Sequence, residues 1–236
     1  TTNHKHHKLK ILMFLWSMRQ YRDNLIKNGY TVFYHSIDEE SFHDKYEDKL
    51  LKVIKDHNIK KLKYFEIEDN DFEDKIIKFI NQKHIDYELF QSPMFLTSRD
   101  NFFEFANEQK KLIRMASFYQ KIRTKMNILI DENNKPIGGK WSYDEDNRKK
   151  IPKNTLIPKI PYIKNNNNIK ELKSIINIKF KNHHGLLNNL WMPTNREESL
   201  NWLDDFFKEK FFNFGDYEDA VVSENNFLFH SAISPI

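Results

Sequence analysis

The fold is decided by the stretch Leu62-Lys63-Tyr64-Phe65-Glu66-Ile67, in which apolar and polar residues alternate as in a half-buried β-strand. Asp71 then marks the start of a helix, whose apolar residues are Ile76, Ile77, Phe79 and Ile80. A second strand is predicted at Ile85-Asp86-Tyr87-Glu88-Leu89-Phe90. A helix between two strands is typical of a parallel pair, because the chain has to cross back before the second strand can run in the same direction. The predicted fold class is therefore α/β.

The same alternation of helix and strand extends toward the N terminus. Residues 10–28 have apolar side chains at helical spacing, and Asn28-Gly29 ends that helix. Thr31-Val32-Phe33-Tyr34 is predicted to form a short buried strand, and Ser41 to start a second helix that ends near His57. Three helix-strand repeats predict a Rossmann-like parallel sheet with crossover helices. We expect one further strand before residue 10 to be missing from this chain.

The second half of the chain has a different character. Two helices are predicted, from Ser98 to about Lys111 and over Met115–Lys125, before a region rich in Pro, Gly and Asn. A capping box at Thr194-Asn195-Arg196-Glu197 opens a further helix, whose apolar stripe consists of Leu200, Leu203, Phe206, Phe207 and Phe211. We therefore predict three regions: a Rossmann-like domain with trailing helices over 1–130, an interdomain linker over 131–192, and the start of a helical domain over 193–236.

The composition excludes several kinds of site. The chain has 236 residues, of which 39% are hydrophobic and 14% aromatic, and its net charge of +4 is too small to indicate nucleic-acid binding by itself. It contains no cysteine, which removes disulfides, thiolate nucleophiles and iron–sulfur ligands from this stretch. No apolar run is long enough to span a membrane, and no signal-peptide pattern is present. We expect a cytoplasmic protein with no membrane partner.

Four segments, taken together and in order, carry the functional information. They are Met115-Ala116-Ser117-Phe118-Tyr119 with Arg123, Pro136–Arg148 around Gly138-Gly139-Lys140-Trp141, Phe214–Ala220, and Leu228–Pro235. The glycine pair lacks the G-x-G-x-x-G spacing of a dinucleotide site, and alone it indicates only a tight turn. The set resembles the deoxyribodipyrimidine photolyase-related family, the bacterial iron–sulfur branch of the photolyase/cryptochrome superfamily, over nearly the whole chain. The resemblance implies an N-terminal fragment: an antenna domain, a linker and the start of an all-helical FAD-binding domain.

The closing segment is where the resemblance implies a flavin site. His230-Ser231-Ala232-Ile233-Ser234-Pro235 is similar to the Thr-Ser-x-Leu-Ser-Pro motif of photolyases, whose hydroxyls and helix-start N–H groups hold the FAD phosphates. Ser231 and Ser234 match that motif directly, and His230 replaces its Thr. Tyr217 matches the tyrosine near the flavin phosphates. Without the family, the Ser-x-x-Ser-Pro spacing is an ordinary helix cap.

Two further sites follow from the same resemblance. His7 and Lys10, from the run His6-His7-Lys8-Leu9-Lys10, would lie in the pocket of a lumazine-type antenna chromophore, and no metal site is expected there. The basic residues Arg148, Lys149, Lys150 and Lys153 would neutralise phosphates of damaged DNA. Solvated linker charge is the alternative interpretation of that basic run.

The family resemblance implies light-driven repair of ultraviolet pyrimidine lesions, which we expect to be (6–4) photoproducts, by an electron from reduced FAD. A cryptochrome-type photoreceptor and a non-enzymatic Rossmann-like binding module are the alternatives. Catalytic residues and the iron–sulfur ligands are expected beyond Ile236, so this chain alone should be inactive; its oligomeric state is left open. Apolar surface around Phe206, Phe207, Phe211 and Phe227 should favour poor solubility or self-association.

Overall fold

The structure is a computed structural model that describes residues 4–110, 112–159, 167–223 and 227–233, without the side chains of 167 and 168. It is an α/β structure with one small parallel sheet and many helices. The chain divides into two compact units, His43–Trp141 on the one hand and Thr1–Phe42 with Ser142–Ile236 on the other. No helix of the described ranges is long and apolar enough to cross a bilayer.

The unit His43–Trp141 contains the predicted strand pair. Strand β1 (Lys61–Phe65) pairs in parallel with β2 (Asp86–Phe90), with Lys61 opposite Asp86 and Phe65 opposite Phe90. Helix α3 (Asn70–Lys83) crosses between them, and its Ile76, Phe79 and Ile80 are buried against side chains of β1, of α2 (Tyr46–Asp56) and of Ile85 just before β2. The β-α-β prediction is thus confirmed, although the helix cap is Asp69, whose side chain accepts from the Phe72 N–H, rather than Asp71.

Two helices complete this unit. Helix α4 (Arg99–Glu108) begins at Ser98, as predicted, with a reciprocal capping box between Ser98 and Asn101. Helix α5 (Met115–Lys125) also matches its prediction. The turn that follows contains Gly138 and Gly139, both with positive φ, which agrees with a tight turn and explains why glycine occupies these positions.

The other unit has a helical core. Helix α1 (Lys8–Lys27), close to its predicted bounds, buries Ile11, Leu12 and Trp16 against α6 (Asn167–Lys179), which the composition of this region did not predict. The strand predicted at Thr31–Tyr34 is wrong, since residues 30–36 have no regular structure. A strand requires a partner backbone, and none pairs with this segment in the described part of the chain, where Tyr34 instead contacts the Arg22 guanidinium at 4.7 Å.

The first of the C-terminal helices is capped one residue later than predicted. Helix α7 (Arg196–Asp205) is capped by Asn195, which accepts from the Glu198 N–H, while the Glu198 carboxylate accepts from Thr194. A π-helical turn (Phe206–Lys210) and α8 (Phe211–Tyr217) continue it. The predicted apolar stripe is partly wrong, because the buried residues are Trp202, Phe206 and Lys210, whereas Leu200, Phe207 and Phe211 are at least half exposed.

Candidate cofactor and DNA site

Two segments about seventy residues apart in sequence lie side by side. The Lys149 N–H donates to the Asp216 carbonyl at 3.0 Å, and the Asp219 N–H donates to the Asn147 carbonyl at 3.1 Å. Side chains reinforce this pairing, since Lys149 Nζ is 2.6 Å from Asp216 Oδ1 and Arg148 Nη2 is 3.2 Å from Asp219 Oδ2. The basic run is therefore placed directly beside the segment that contains Tyr217.

These ion pairs divide the basic run into two halves. Arg148 and Lys149 each have a carboxylate partner, and the hydrogen bond that the Lys149 ammonium donates to Asp216 raises the pKa of Lys149. Lys150 and Lys153 are exposed, and within the described ranges neither has an ion pair. An ammonium that already has a carboxylate partner contributes less to phosphate binding. Lys150 and Lys153 are thus the two members of the run best placed to contact a nucleic-acid backbone.

Two contacts join the segment that contains Tyr217 to the closing segment: one between aromatic rings and one between a carboxylate and a histidine. The Tyr217 ring lies 5.6 Å from that of Phe229, which is fully buried. The next residue, Glu218, places Oε1 3.6 Å from His230 Nε2, and its Oε2 accepts from Asn147 Nδ2 at 2.8 Å. Segments 147–149, 216–219 and 227–233 therefore form one continuous arrangement, which we call the closing site.

Two backbone N–H groups of the closing site donate hydrogen bonds to side chains of the same segment. His230 Nδ1 accepts from the Ala232 N–H at 2.8 Å, and Ser231 Oγ accepts from the Ile233 N–H at 3.4 Å. The Ser231 carbonyl is fixed by Trp202 Nε1 at 2.9 Å. Side chains that cap the N–H two residues ahead are typical of turns and helix starts. Ser234 lies outside the described residues.

These groups fit the phosphates of a flavin dinucleotide in chemical type. A phosphate needs N–H or O–H donors, and the Ala232 and Ile233 N–H groups with the Ser231 hydroxyl can supply them by exchanging their present partners. Elsewhere in the closing site, Asn147 Oδ1 is buried and has no hydrogen-bond partner among the described residues, so its capacity to accept a hydrogen bond is unused.

The residues predicted for the antenna chromophore separate into two roles. His7 caps α1, because its Nδ1 accepts from the Leu9 N–H at 3.1 Å, and its ring lies against Gly185, where a Cβ atom would stand 1.8 Å from Nε2. Lys10 lines a cavity of about 350 Å³ whose walls are otherwise almost wholly apolar, being formed by His6, Ile11, Phe14, Leu15, Met18, Ile37, Phe42 and Phe180.

Sequence reasoning missed several members of this region. The loop His183-His184-Gly185 closes on the start of α1, since the Lys8 N–H donates to the His184 carbonyl at 2.8 Å and His183 Nδ1 lies 3.0 Å from the His6 carbonyl. Phe180 belongs to the cavity wall through α6, which was not predicted. In the described ranges no three His, Asp or Glu side chains converge on a metal-sized position.

Comparison with known proteins agrees with the resemblance seen in the sequence. The family model described as deoxyribodipyrimidine photo-lyase-related protein matches residues 1–191. The chain is 27% identical over 229 residues to a (6-4) photolyase of Agrobacterium fabrum, covering 97% of this chain and 45% of that protein. It is 34% identical over 156 residues to the uncharacterized protein R852 of Acanthamoeba polyphaga mimivirus, covering 63% of this chain and 74% of that protein.

The chain thus spans less than half the length of the photolyase that it matches. The family match includes the Met115–Tyr119 and Gly138–Arg148 segments and ends before Tyr217 and His230, while the photolyase alignment extends over nearly the whole chain. Because the family model covers most of the sequence, the resemblance is confirmed, and this chain belongs to the deoxyribodipyrimidine photo-lyase-related protein family.

Proposed function

We propose that this chain is the N-terminal part of a photolyase-type flavoprotein that repairs ultraviolet pyrimidine lesions, of the (6–4) type, in DNA. The observation that carries the proposal is the closing site, in which the flavin-type segment 230–233, Tyr217 and the basic run meet. Membership in the photolyase-related family and the similarity to a (6-4) photolyase support it. A lesion held beside the basic run would be near the cofactor that acts on it.

In this proposal the chain's own residues hold the cofactor. Ser231 and Ser234, with the N–H groups of Ala232 and Ile233, bind the FAD phosphates, and Tyr217 and His230 border them. A bound reduced flavin supplies, on light absorption, the electron for repair. Lys150 and Lys153 neutralise DNA phosphates, and extrusion of the lesion from the duplex brings it within reach.

The remaining features of the proposal concern the antenna and the domains. We assign the cavity beside Lys10 to a lumazine-type chromophore, because its size and apolar walls suit a planar aromatic ring. The Rossmann-like antenna domain over 1–130, the linker over 131–192 and the helical flavin domain from 193 remain proposals. An iron–sulfur cluster does not fit the residues present, since the chain has no cysteine, and its ligands would have to come from elsewhere in a longer protein.

The proposal is tested by light-dependent repair of an oligonucleotide with a single (6–4) lesion, using the full-length protein. We expect repair under blue light and none in the dark. Ser231→Ala with Ser234→Ala should lower flavin content and repair together, whereas Ser199→Ala, on helix α7, should change neither. If the double variant retains flavin at the wild-type level, the assignment of Ser231 and Ser234 to the FAD phosphates is wrong. Flavin binding with light-driven reduction but no repair would favour a photoreceptor.

The DNA contact is tested separately by salt titration. Lys150→Ala with Lys153→Ala should weaken binding of the full-length protein to duplex DNA equally for all sequences. The slope of log affinity against log salt should become shallower by about 1 for each DNA phosphate that the variant no longer neutralises. The control is Lys208→Ala, whose ammonium is paired with Asp204. An unchanged slope in the double variant would support the alternative of solvated linker charge.

A further inference from the structure

Lys210 occupies a position where an apolar residue is expected. Trp202, Phe206 and Lys210 lie at intervals of four residues on one helical face, and they are the buried residues between Arg196 and Tyr217. Lys210 is 5% exposed. The π-helical turn Phe206–Lys210, closed by the Phe211 N–H donating to the Phe206 carbonyl, presents Lys210 to the interior. Turns of this kind are frequent at functional sites.

Lys210 forms no ion pair within the described part of the chain. Its Nζ donates to the His230 carbonyl at 3.2 Å and lies 5.7 Å from the centre of the Phe227 ring. An ammonium has three donors, and one carbonyl uses a single one of them. Burial lowers the pKa of Lys210. A buried cation without an anion is costly, so the site is suited to a ligand that brings one.

Lys210 lines a cavity of about 490 Å³ that is large enough for a small organic ligand. Its apolar lining comes from Leu156, Ile157 and Pro158 in one segment and from Trp202 and Phe206 on the helices. Three exposed charged residues complete the lining, namely Lys159, Asp205 and Glu209. The carboxylates are thus on the solvent side, and the buried charge of the cavity is that of Lys210.

We propose that this cavity is an anion-binding site, in which the Lys210 ammonium binds the phosphate of a nucleotide and Lys159 assists at the rim. The apolar walls would receive the rest of the ligand. The site extends the closing site, because Lys210 also donates to the carbonyl of His230. Anion binding can be measured on this chain without light or DNA, so its failure is distinguishable from failure of the repair function.

The test is calorimetric titration of the 236-residue chain with inorganic pyrophosphate and with ADP. We expect both to bind, and Lys210→Met to weaken both by roughly tenfold or more, the value of one charge-assisted hydrogen bond. Lys208→Met is the matched control, because Lys208 is exposed, lies two residues away and is paired with Asp204. Equal binding by the wild type and Lys210→Met, or no binding of either probe, would overturn the proposal.

A second measurement keeps the test valid if Lys210→Met does not fold. An amine-reactive label followed by peptide mass spectrometry reports the reactivity of each lysine in the wild type. Pyrophosphate should slow labelling at Lys210 and leave Lys208 unchanged; equal rates at Lys210 with and without pyrophosphate contradict the site.

A comparison of FAD with riboflavin, which has no phosphate, distinguishes a flavin dinucleotide from a free nucleotide as the ligand of this site. FAD that binds as ADP does, with no binding of riboflavin, assigns the anion to a flavin dinucleotide. ADP binding without FAD binding assigns it to a free nucleotide. Both results support the anion site, whereas FAD binding that is no tighter than riboflavin binding and is unaffected by Lys210→Met contradicts a role for the phosphate.

Discussion

Arg123 shows how one side chain can account for a motif that spans more than twenty residues. It is buried, with Nε donating to the Ile128 carbonyl at 2.9 Å, Nη2 to the Leu129 carbonyl at 2.8 Å and Nη1 to the Trp141 carbonyl at 3.3 Å. Its guanidinium also lies 5.3 Å from the Trp141 ring. The planar fork of arginine suits several carbonyls at once. The Met115–Tyr119 helix and the Gly-Gly-Lys-Trp turn therefore belong to one structural assembly.

Replacing this guanidinium tests that assembly. Arg123→Lys keeps the charge but cannot reach three carbonyls, so we expect the free energy of unfolding to fall by about 2 kcal/mol, since hydrogen bonds from a buried charged group are removed. Urea unfolding followed by Trp fluorescence measures it. Lys125→Ala, an exposed change near the end of the same helix, is the control and should lie close to wild type. Equal midpoints for Arg123→Lys and wild type would show that the three carbonyls contribute little.

Lys210 provides a prediction with a pH dependence. Burial lowers its folded-state pKa below the ordinary value of 10.5, so between those two pKa values the folded state binds fewer protons than the unfolded state. Stability of the wild type should therefore rise with pH through that window. Lys210→Met should lack this rise, and at pH 7 it should lose at most about 1 kcal/mol, the value of one hydrogen bond.

Urea unfolding of both proteins between pH 7 and pH 10 measures the difference between their free energies of unfolding at each pH. The other lysines are present in both proteins, so their contributions cancel in this difference. A constant difference across this range would mean that the Lys210 pKa is not lowered. A much less stable variant at pH 7 would instead mean that Lys210 is mainly structural.

Residue positions were predictable where a short local pattern determines them. Ser98 was correctly identified as a cap because the bonds it forms lie within three residues. The burial of Lys210 and the contact of His7 with Gly185 could not be predicted in this way. Both depend on tertiary packing, since Gly185 lies 178 positions from His7. Of the candidate site, the sequence predicted Tyr217, His230 and the basic run as members, which stays a prediction, but it did not predict the side chains around them.

At the scale of elements, the β-α-β unit was predictable because its hydrophobic pattern agrees with its packing. The crossover helix buries the residues at its predicted apolar positions except Ile77, which is 38% exposed. Thr31–Tyr34 has an equally strand-like composition but no partner strand in the described ranges, and residue type cannot supply one. Helix α6 was missed because its asparagines resemble a linker, while its buried Ile169, Leu172 and Ile176 form one face.

The parallel strand pair contains an ion cluster with a measurable acid response. Glu88 on β2 accepts from Lys61 and Lys63 of β1, each at 3.2 Å, and the hydrogen bonds from Lys63 and then Lys61 lower the pKa of Glu88. Its contribution to stability is therefore present above the ordinary value of 4.5 and lost as the pH falls through the lower folded-state value. Glu88→Gln should remove that part of the acid dependence.

Thermal unfolding between pH 3 and pH 7 measures this effect. The melting temperature of Glu88→Gln should fall less steeply in acid than that of the wild type, and the two should differ most at neutral pH. Glu132→Gln, in an exposed turn of the same unit, should follow the wild type. Parallel curves for Glu88→Gln and wild type would show that solvent screens the pair completely.

At the scale of the whole molecule, each of the two units has its own buried cluster, yet both leave large apolar side chains in solvent. On the sheet, Phe65 is 55% and Phe90 39% exposed, and a two-stranded sheet leaves backbone edges unpaired. On the C-terminal helices, Phe207, Phe211 and Phe212 are exposed, although Phe206, which the sequence placed with them, is buried. Surfaces of this kind promote association.

We therefore expect the chain to self-associate as its concentration rises, and to bind a dye that fluoresces on apolar surfaces. Sedimentation velocity over a hundredfold concentration range measures the association. Phe207→Ser with Phe212→Ser should reduce both association and dye fluorescence while leaving the urea midpoint nearly unchanged, because neither ring is buried. Phe229→Ser is the contrasting change: this ring is fully buried, so the variant should unfold more easily. A monomer at every concentration, without dye binding, would show that these exposed rings do not form an associating surface.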